Sequence, residues 1–156
     1  MSKTTVNLVS ERKKIVFGKD NIVIQKYIAG LKGGRALDLT GFTADYIYAG
    51  HVIITDGSGK YKPMPVVAAT STVPAHYDSL PSNHSYVGIL KGTIDTKQPL
   101  ASIMIDGCVN SVAVPYPLEG VTDPGTGETP TPSVVGNILS AFKSACPNIK
   151  FIKDEE

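Results

Sequence analysis

Charge is scarce in this chain. Of its 156 residues only 19% are charged, and the formal net charge is +1, against about a quarter charged in an ordinary globular protein. A surface with so few charges suits a chain that covers part of itself with partners. A nucleic-acid grip needs a basic face. The one dense basic cluster, Arg12-Lys13-Lys14, reads as a solvated N-terminal patch. No apolar run approaches the ~20 residues that cross a bilayer. The opening MSKTTVNLVSERKKIVF has no apolar core followed by a small-residue cleavage site, so export by that route is not expected. There are two cysteines, Cys108 and Cys146, too far apart in sequence for a metal spacing or a redox pair. Both sit among apolar neighbours and read as buried free thiols in a protein made in the cytosol.

No reactive constellation is assembled either. The histidines are His51, His76 and His84. His76 and His84 share a Pro-rich stretch with Asp78, but no HxH or HxxxH spacing supports a metal site. No serine sits in a GxSxG elbow. Asp38, Asp45, Asp56, Asp95 and Asp106 stand in or beside turns, where aspartate commonly bonds its own backbone. The chain is therefore read as a non-enzyme with no cofactor and no metal.

What the chain does have is a succession of short apolar strands broken by glycine turns. Residues 1–35 form an N-terminal arm or first strands. Ile22, Val23 and Ile24 lead to Tyr27 and Ile28, strand-like by β-branching. Residues 36–118 form a β-rich core module. Within it, 51–55 and 60–62 joined by Asp56-Gly57-Ser58-Gly59 give the clearest hairpin signal. Residues 66–84 read as a surface loop, 86–90 as a strand, and 101–105 as a buried strand. Asp106-Gly107 reads as a turn before a further run of Cys108, Val109, Val112 and Val114. Residues 119–132, EGVTDPGTGETPTP, read as a linker or exposed loop.

Residues 133–156 switch period. Ser133 is a candidate cap, and Val134, Val135, Ile138, Leu139 and Phe142 recur at helical spacing. A helix this short is marginal alone, so this face is expected to pack on the core or on a neighbouring subunit. These five residues are the candidate oligomer contact. Ile149, Phe151 and Ile152 make a final short strand. The fold class expected is mainly β, a small sandwich or partly closed barrel with one short C-terminal helix and a last strand.

Three stretches, GGRALDLTGFTADYIYAGHVIITDGSGKYKPMPV, SYVGILKGTIDTKQPLASIMIDGCVNSVAVPYP and PSVVGNILSAFKSACPNIKFIKDEE, together resemble the capsid-proximal part of tailed-phage head fiber proteins. The likeness is closest to those of phages infecting Bacteroidales, including crAss-like phages. It rests on an Ala-Gly before a strand, a glycine turn, then VGIL and a later strand ending near NSVAVPYP. The resemblance implies a structural virion protein made in the host cytoplasm. It would bind the outer surface of the capsid as a homotrimer, with the major capsid protein as its partner. Gly41, Ala49, Gly50, Gly57, Gly59, Gly88, Gly107, Asn110 and Pro115 would shape turns and strand ends, and Arg12, Lys13 and Lys14 could touch the shell. Family members often continue into a distal fiber. This chain ends at residue 156, which favours a short decoration knob or a fiber base. The alternative is a carbohydrate-binding β module for host or glycan attachment, with Tyr46, Tyr48 and Tyr61 presenting rings beside the glycine turns.

Overall fold

The computed structural model describes residues 19–127 and 129–153. In chain order, α1 (Asp20–Val23) leads into β1 (Ile24–Gly30), β2 (Arg35–Ala36) and β3 (Tyr46–Ile47), followed by the hairpin strands β4 (Val52–Thr55) and β5 (Tyr61–Pro63). Next come β6 (Val66–Val67), β7 (His76–Tyr77), β8 (Ser85–Leu90), β9 (Ile94–Asp95), β10 (Leu100–Ala101) and the long β11 (Ile103–Asn110). The last elements are β12 (Val121–Asp123), β13 (Ser133–Val135), α2 (Leu139–Ala145) and β14 (Ile149–Ile152). The protein is mainly β, with one short helix near its C-terminal end and a final strand after it.

One open sheet organises the chain, in the order β1-β11-β8-β4-β5, with antiparallel neighbours. Strand β14 joins it parallel to β11. Strand β8 pairs with Ile103 and Met104 of β11, and β14 pairs with Gly107 to Asn110. The two therefore share one edge of β11, and the sheet forks there. Four two-strand pairs flank it: β2–β10, β3–β9, β6–β7 and β12–β13.

The core follows from strand alternation, since successive side chains point to opposite faces. Val52, Ile54, Ile89 and Met104 join one apolar cluster with Tyr77, Ile138 and Phe142. Their neighbours Ile53, Leu90 and Ile103 join a second with Leu37, Ile47 and Ala101. Both faces of the sheet are thus covered, which explains why β4 reads as an unbroken apolar run. Helix α2 closes the first face. Phe142 is fully buried and meets Tyr86 and Phe151 edge-on, with ring centroids 5.6 and 5.7 Å apart. Each such ring or aliphatic side chain contributes on the order of 2 kcal/mol by leaving water.

Several local readings are corrected. The helix over 134–142 begins only at Leu139, and Ser133, Val134 and Val135 form β13 against β12 instead. The two valines favour strand. Gly136 then sits at φ +70° with the Tyr77 carbonyl 2.8 Å from where a Cβ would stand. A helix cannot run through that point. At the start of α2 the Leu139 N–H is held by the Leu118 carbonyl at 3.0 Å and also meets the Asn137 side-chain oxygen at 3.3 Å. The linker read over 119–132 contains β12, so its first part is a paired strand.

Asp106-Gly107 does not turn the chain. It lies inside β11, where Gly107 pairs with Tyr27 on one side and Ile149 on the other. The Lys26 carbonyl comes so close that no side chain fits at Gly107. The turn comes at Asn110, whose side-chain oxygen accepts the Val112 N–H at 3.0 Å, so Val112 and Val114 do not extend a strand. Ile22 and Val23 belong to the single turn of α1 rather than to a strand. The loop read over 66–84 holds β6 and β7, and it delivers Tyr77 to the core.

Candidate functional site

Residues singled out from the sequence are dispersed by the fold. Arg12, Lys13 and Lys14 lie outside the described residues. Of the five candidate oligomer contacts, Ile138 and Phe142 are buried in the chain's own core. Val135 and Leu139 are half-buried, and only Val134, 61% exposed, stands open to solvent. The five do not share a face.

The loop histidines each turn back on their own strand or loop. His76 Nδ1 sits 2.9 Å from the Pro74 carbonyl, and His84 Nδ1 sits 2.9 Å from the Ser82 carbonyl. Asp78 accepts from the Ser79 N–H and hydroxyl. Among the described residues no group of three His, Cys, Asp or Glu side chains is placed to hold a metal ion. Cys146 is a buried free thiol that burial pushes up to about 11, so it stays protonated and unreactive near neutrality. Cys108 is free and half-buried, which corrects the expectation of full burial for it.

His51 is fully buried. By sequence it stands at a strand start after Ala49-Gly50 and reads as solvent-facing or turn-packing. It lies instead in a box of rings formed by Phe42, Tyr77 and Tyr116, all edge-on at 5.4 to 6.1 Å. Its Nε2–H donates to the Met64 carbonyl at 2.9 Å. Burial pulls its pKa down to about 4, against a smaller upward pull from that carbonyl. Tyr77, beside it, accepts the Val52 N–H through its hydroxyl at 3.0 Å. Burial raises its pKa, so it too stays neutral. These groups tie β4 to the segments on either side of it, and the arrangement is structural.

Two surface features are available for recognition. The first is β1, the outer strand of the sheet. Tyr27 is 43% and Ile28 55% exposed, and Ile22 is open just before them on α1. The strand pairs with β11 through three register irregularities, and Lys91 lies over the Tyr27 ring at 4.1 Å. Bulges and a nearby lysine blunt strand addition, so this face is suited to contact through side chains.

The second feature is a cleft of about 430 Å³ between α1, the end of β3 and the 113–116 loop. Three segments meet at Gly50, where a Cβ would stand 2.6 Å from Val23 Cγ1 and 3.1 Å from Pro115 Cδ. Asp20 fixes α1 there: its two carboxylate oxygens accept the Thr93 N–H at 2.8 Å and the Thr93 hydroxyl at 2.5 Å. Tyr48 and Tyr116 line the cleft. Burial, and then the nearby Tyr48, hold the Tyr116 phenol above its ordinary range.

The tyrosine set read from the sequence is therefore divided. Tyr48 faces the cleft, Tyr61 lies under the Arg35 guanidinium at 5.5 Å, and Tyr46 pairs with Asp95. Tyr116 was visible only as part of a strand-ending Pro-Tyr-Pro, and Tyr77 was hidden in a loop-like stretch. The β-branched Val66-Val67 pair was the one signal that β6 and β7 existed. No family model, no curated protein and no solved structure matches this chain.

Proposed function

We propose that this chain is a non-enzymatic structural protein of a phage virion, a homotrimeric head-fiber base or decoration protein on the outer surface of the capsid, bound to the major capsid protein. The observation that carries the reading is the set of open apolar side chains along one sheet edge, Ile22 on α1 and Tyr27 and Ile28 on β1, on a chain with few charges. Large apolar side chains set together at a sheet edge are unfavourable in water and suit a covered surface. The sequence resemblance to head fiber proteins supplies the kind of assembly.

Copies of a protomer related by a three-fold axis each offer a modest interface, and joint engagement of a shell slows release far more than any single contact does. The contact between protomers passes to the β1 face, because Ile138 and Phe142 are committed to the core of their own chain.

Native mass measurement at micromolar concentration should give a trimer, and the protein should co-sediment with phage heads stripped of it. Ile28→Glu, at an open position, should give a folded monomer that no longer co-sediments. A wild-type protein that stays monomeric and leaves the heads bare would overturn the reading.

A further inference from the structure

We propose that the cleft between α1 and the 113–116 loop binds one acidic pyranose ring of a glycan, that is, a sugar carrying a carboxylate. The inference is independent of the capsid reading. It rests on four features of the cleft. Its volume, about 430 Å³, falls at the small end of the range of ligand pockets, with room for a sugar ring and its substituents. Its apolar lining is small: half-buried Ala113 and Val114, backed by the buried Val23 and Ala49. Its walls carry the tyrosines 48 and 116, and Tyr48 leaves 52% of its surface open. Its shape is held in advance by the Asp20–Thr93 hydrogen bonds and by the close packing at Gly50.

A pyranose has one face of C–H groups and a rim of hydroxyls. An open tyrosine ring offers the apolar partner for the first, and phenol hydroxyls offer donors and acceptors for the second. A peptide would instead need partners for its amides, usually from a sheet edge, and among the described residues no edge strand lines this cleft. The charge at the site selects within the sugars. Both carboxylate oxygens of Asp20 are engaged by Thr93. Lys19, on the rim, is exposed and in no ion pair among the described residues. Its ammonium is the cationic group on the rim and can pair with a ligand carboxylate, while the Asp20 charge stays in the cleft with its acceptor oxygens turned to Thr93.

The test is amide-resolved NMR titration of the full chain with glucuronic acid, N-acetylneuraminic acid, glucose and, as a control, acetate. Saturable shifts are expected at Ala49, Ala113 and Val114 with the acidic sugars, at concentrations up to roughly 10 mM. Tyr48→Ala should weaken binding by about tenfold or more, the loss of one good stacking contact. Lys19→Ala should erase the preference for acidic over neutral sugars. Both positions are exposed, so melting temperature and oligomeric state should not move. Four outcomes would overturn the proposal: no saturable shift with the acidic sugars, glucose binding as tightly as they do, the same shifts with acetate alone, or binding unaltered in Tyr48→Ala. A monomeric protein that still binds the sugar would sink the capsid reading and leave this one standing.

Discussion

Two hairpins of nearly equal size behave as opposites in this molecule. The β4–β5 hairpin and the β12–β13 hairpin each hold three paired positions. In the first, Val52, Ile53 and Ile54 are fully buried, and β4 also pairs with β8. In the second, no position is fully buried, Val134 is open, and the two strands pair only with each other. Even their bases differ. His51 and Met64 close the first hairpin with a buried hydrogen bond, whereas Gly136 anchors the second through close backbone contact with Tyr77. The lesson is that the ladder of hydrogen bonds is common to both, and burial separates a scaffold from an appendage. An isolated two-stranded hairpin is marginal in water.

The comparison breaks most visibly at Ile54. Ile54→Ala leaves a cavity in the first core cluster and should cost about 3–4 kcal/mol, read as a fall in the urea midpoint at unchanged slope. Next comes acidity. His51 has a folded pKa of about 4 against 6.5 unfolded. Between these values the unfolded chain binds the proton and the native one does not. Stability is therefore full above pH 6.5 and declines as pH falls toward 4, by on the order of 3 kcal/mol in all. A chemical-denaturation series from pH 7 to pH 4 should show this decline, and His51→Gln should flatten it. A decline of equal size in the variant would mean that other groups carry it.

Gly136→Ala tests the base of the second hairpin. A side chain at φ +70° so close to the Tyr77 carbonyl should cost about 2 kcal/mol, measured as a lower melting temperature. Smallest is Val134→Ser, expected within about 0.5 kcal/mol of wild type by the same melt. A loss comparable to Ile54→Ala would show that the second hairpin is packed after all and would collapse the contrast.

The legible parts of the fold were those whose cause is local. Asp56 accepts the N–H and hydroxyl of Ser58, two residues on, so the DGSG turn and its hairpin can be read from four letters. The final strand and the existence of a short helix were legible from the spacing of their own apolar residues. The illegible parts were decided by contacts distant in sequence. Asp106-Gly107 looks like a turn until Lys26 of β1 arrives beside it. Val134 and Val135 fit a helical period that Gly136 and the Tyr77 carbonyl forbid. Tyr77 lies among proline, serine and asparagine, so nothing nearby marks it as a core ring. The cleft joins Lys19, Tyr48 and Tyr116, three segments far apart along the chain, and only Tyr48 was singled out beforehand. The His51 ring box was missed because a histidine beside glycine reads as surface until three aromatic residues from other segments surround it.

Strand β11 has one last implication, for how the molecule comes into being. Besides β8, its partners are β1, emerging from the ribosome roughly eighty residues earlier, and β14, emerging roughly forty residues later. During synthesis β1 must wait with its backbone unpaired, and the sheet is complete only once Ile152 has left the exit tunnel. Until β14 arrives the sheet lacks a strand beside β11, and in that interval the nascent chain is most exposed to aggregation and to chaperone capture.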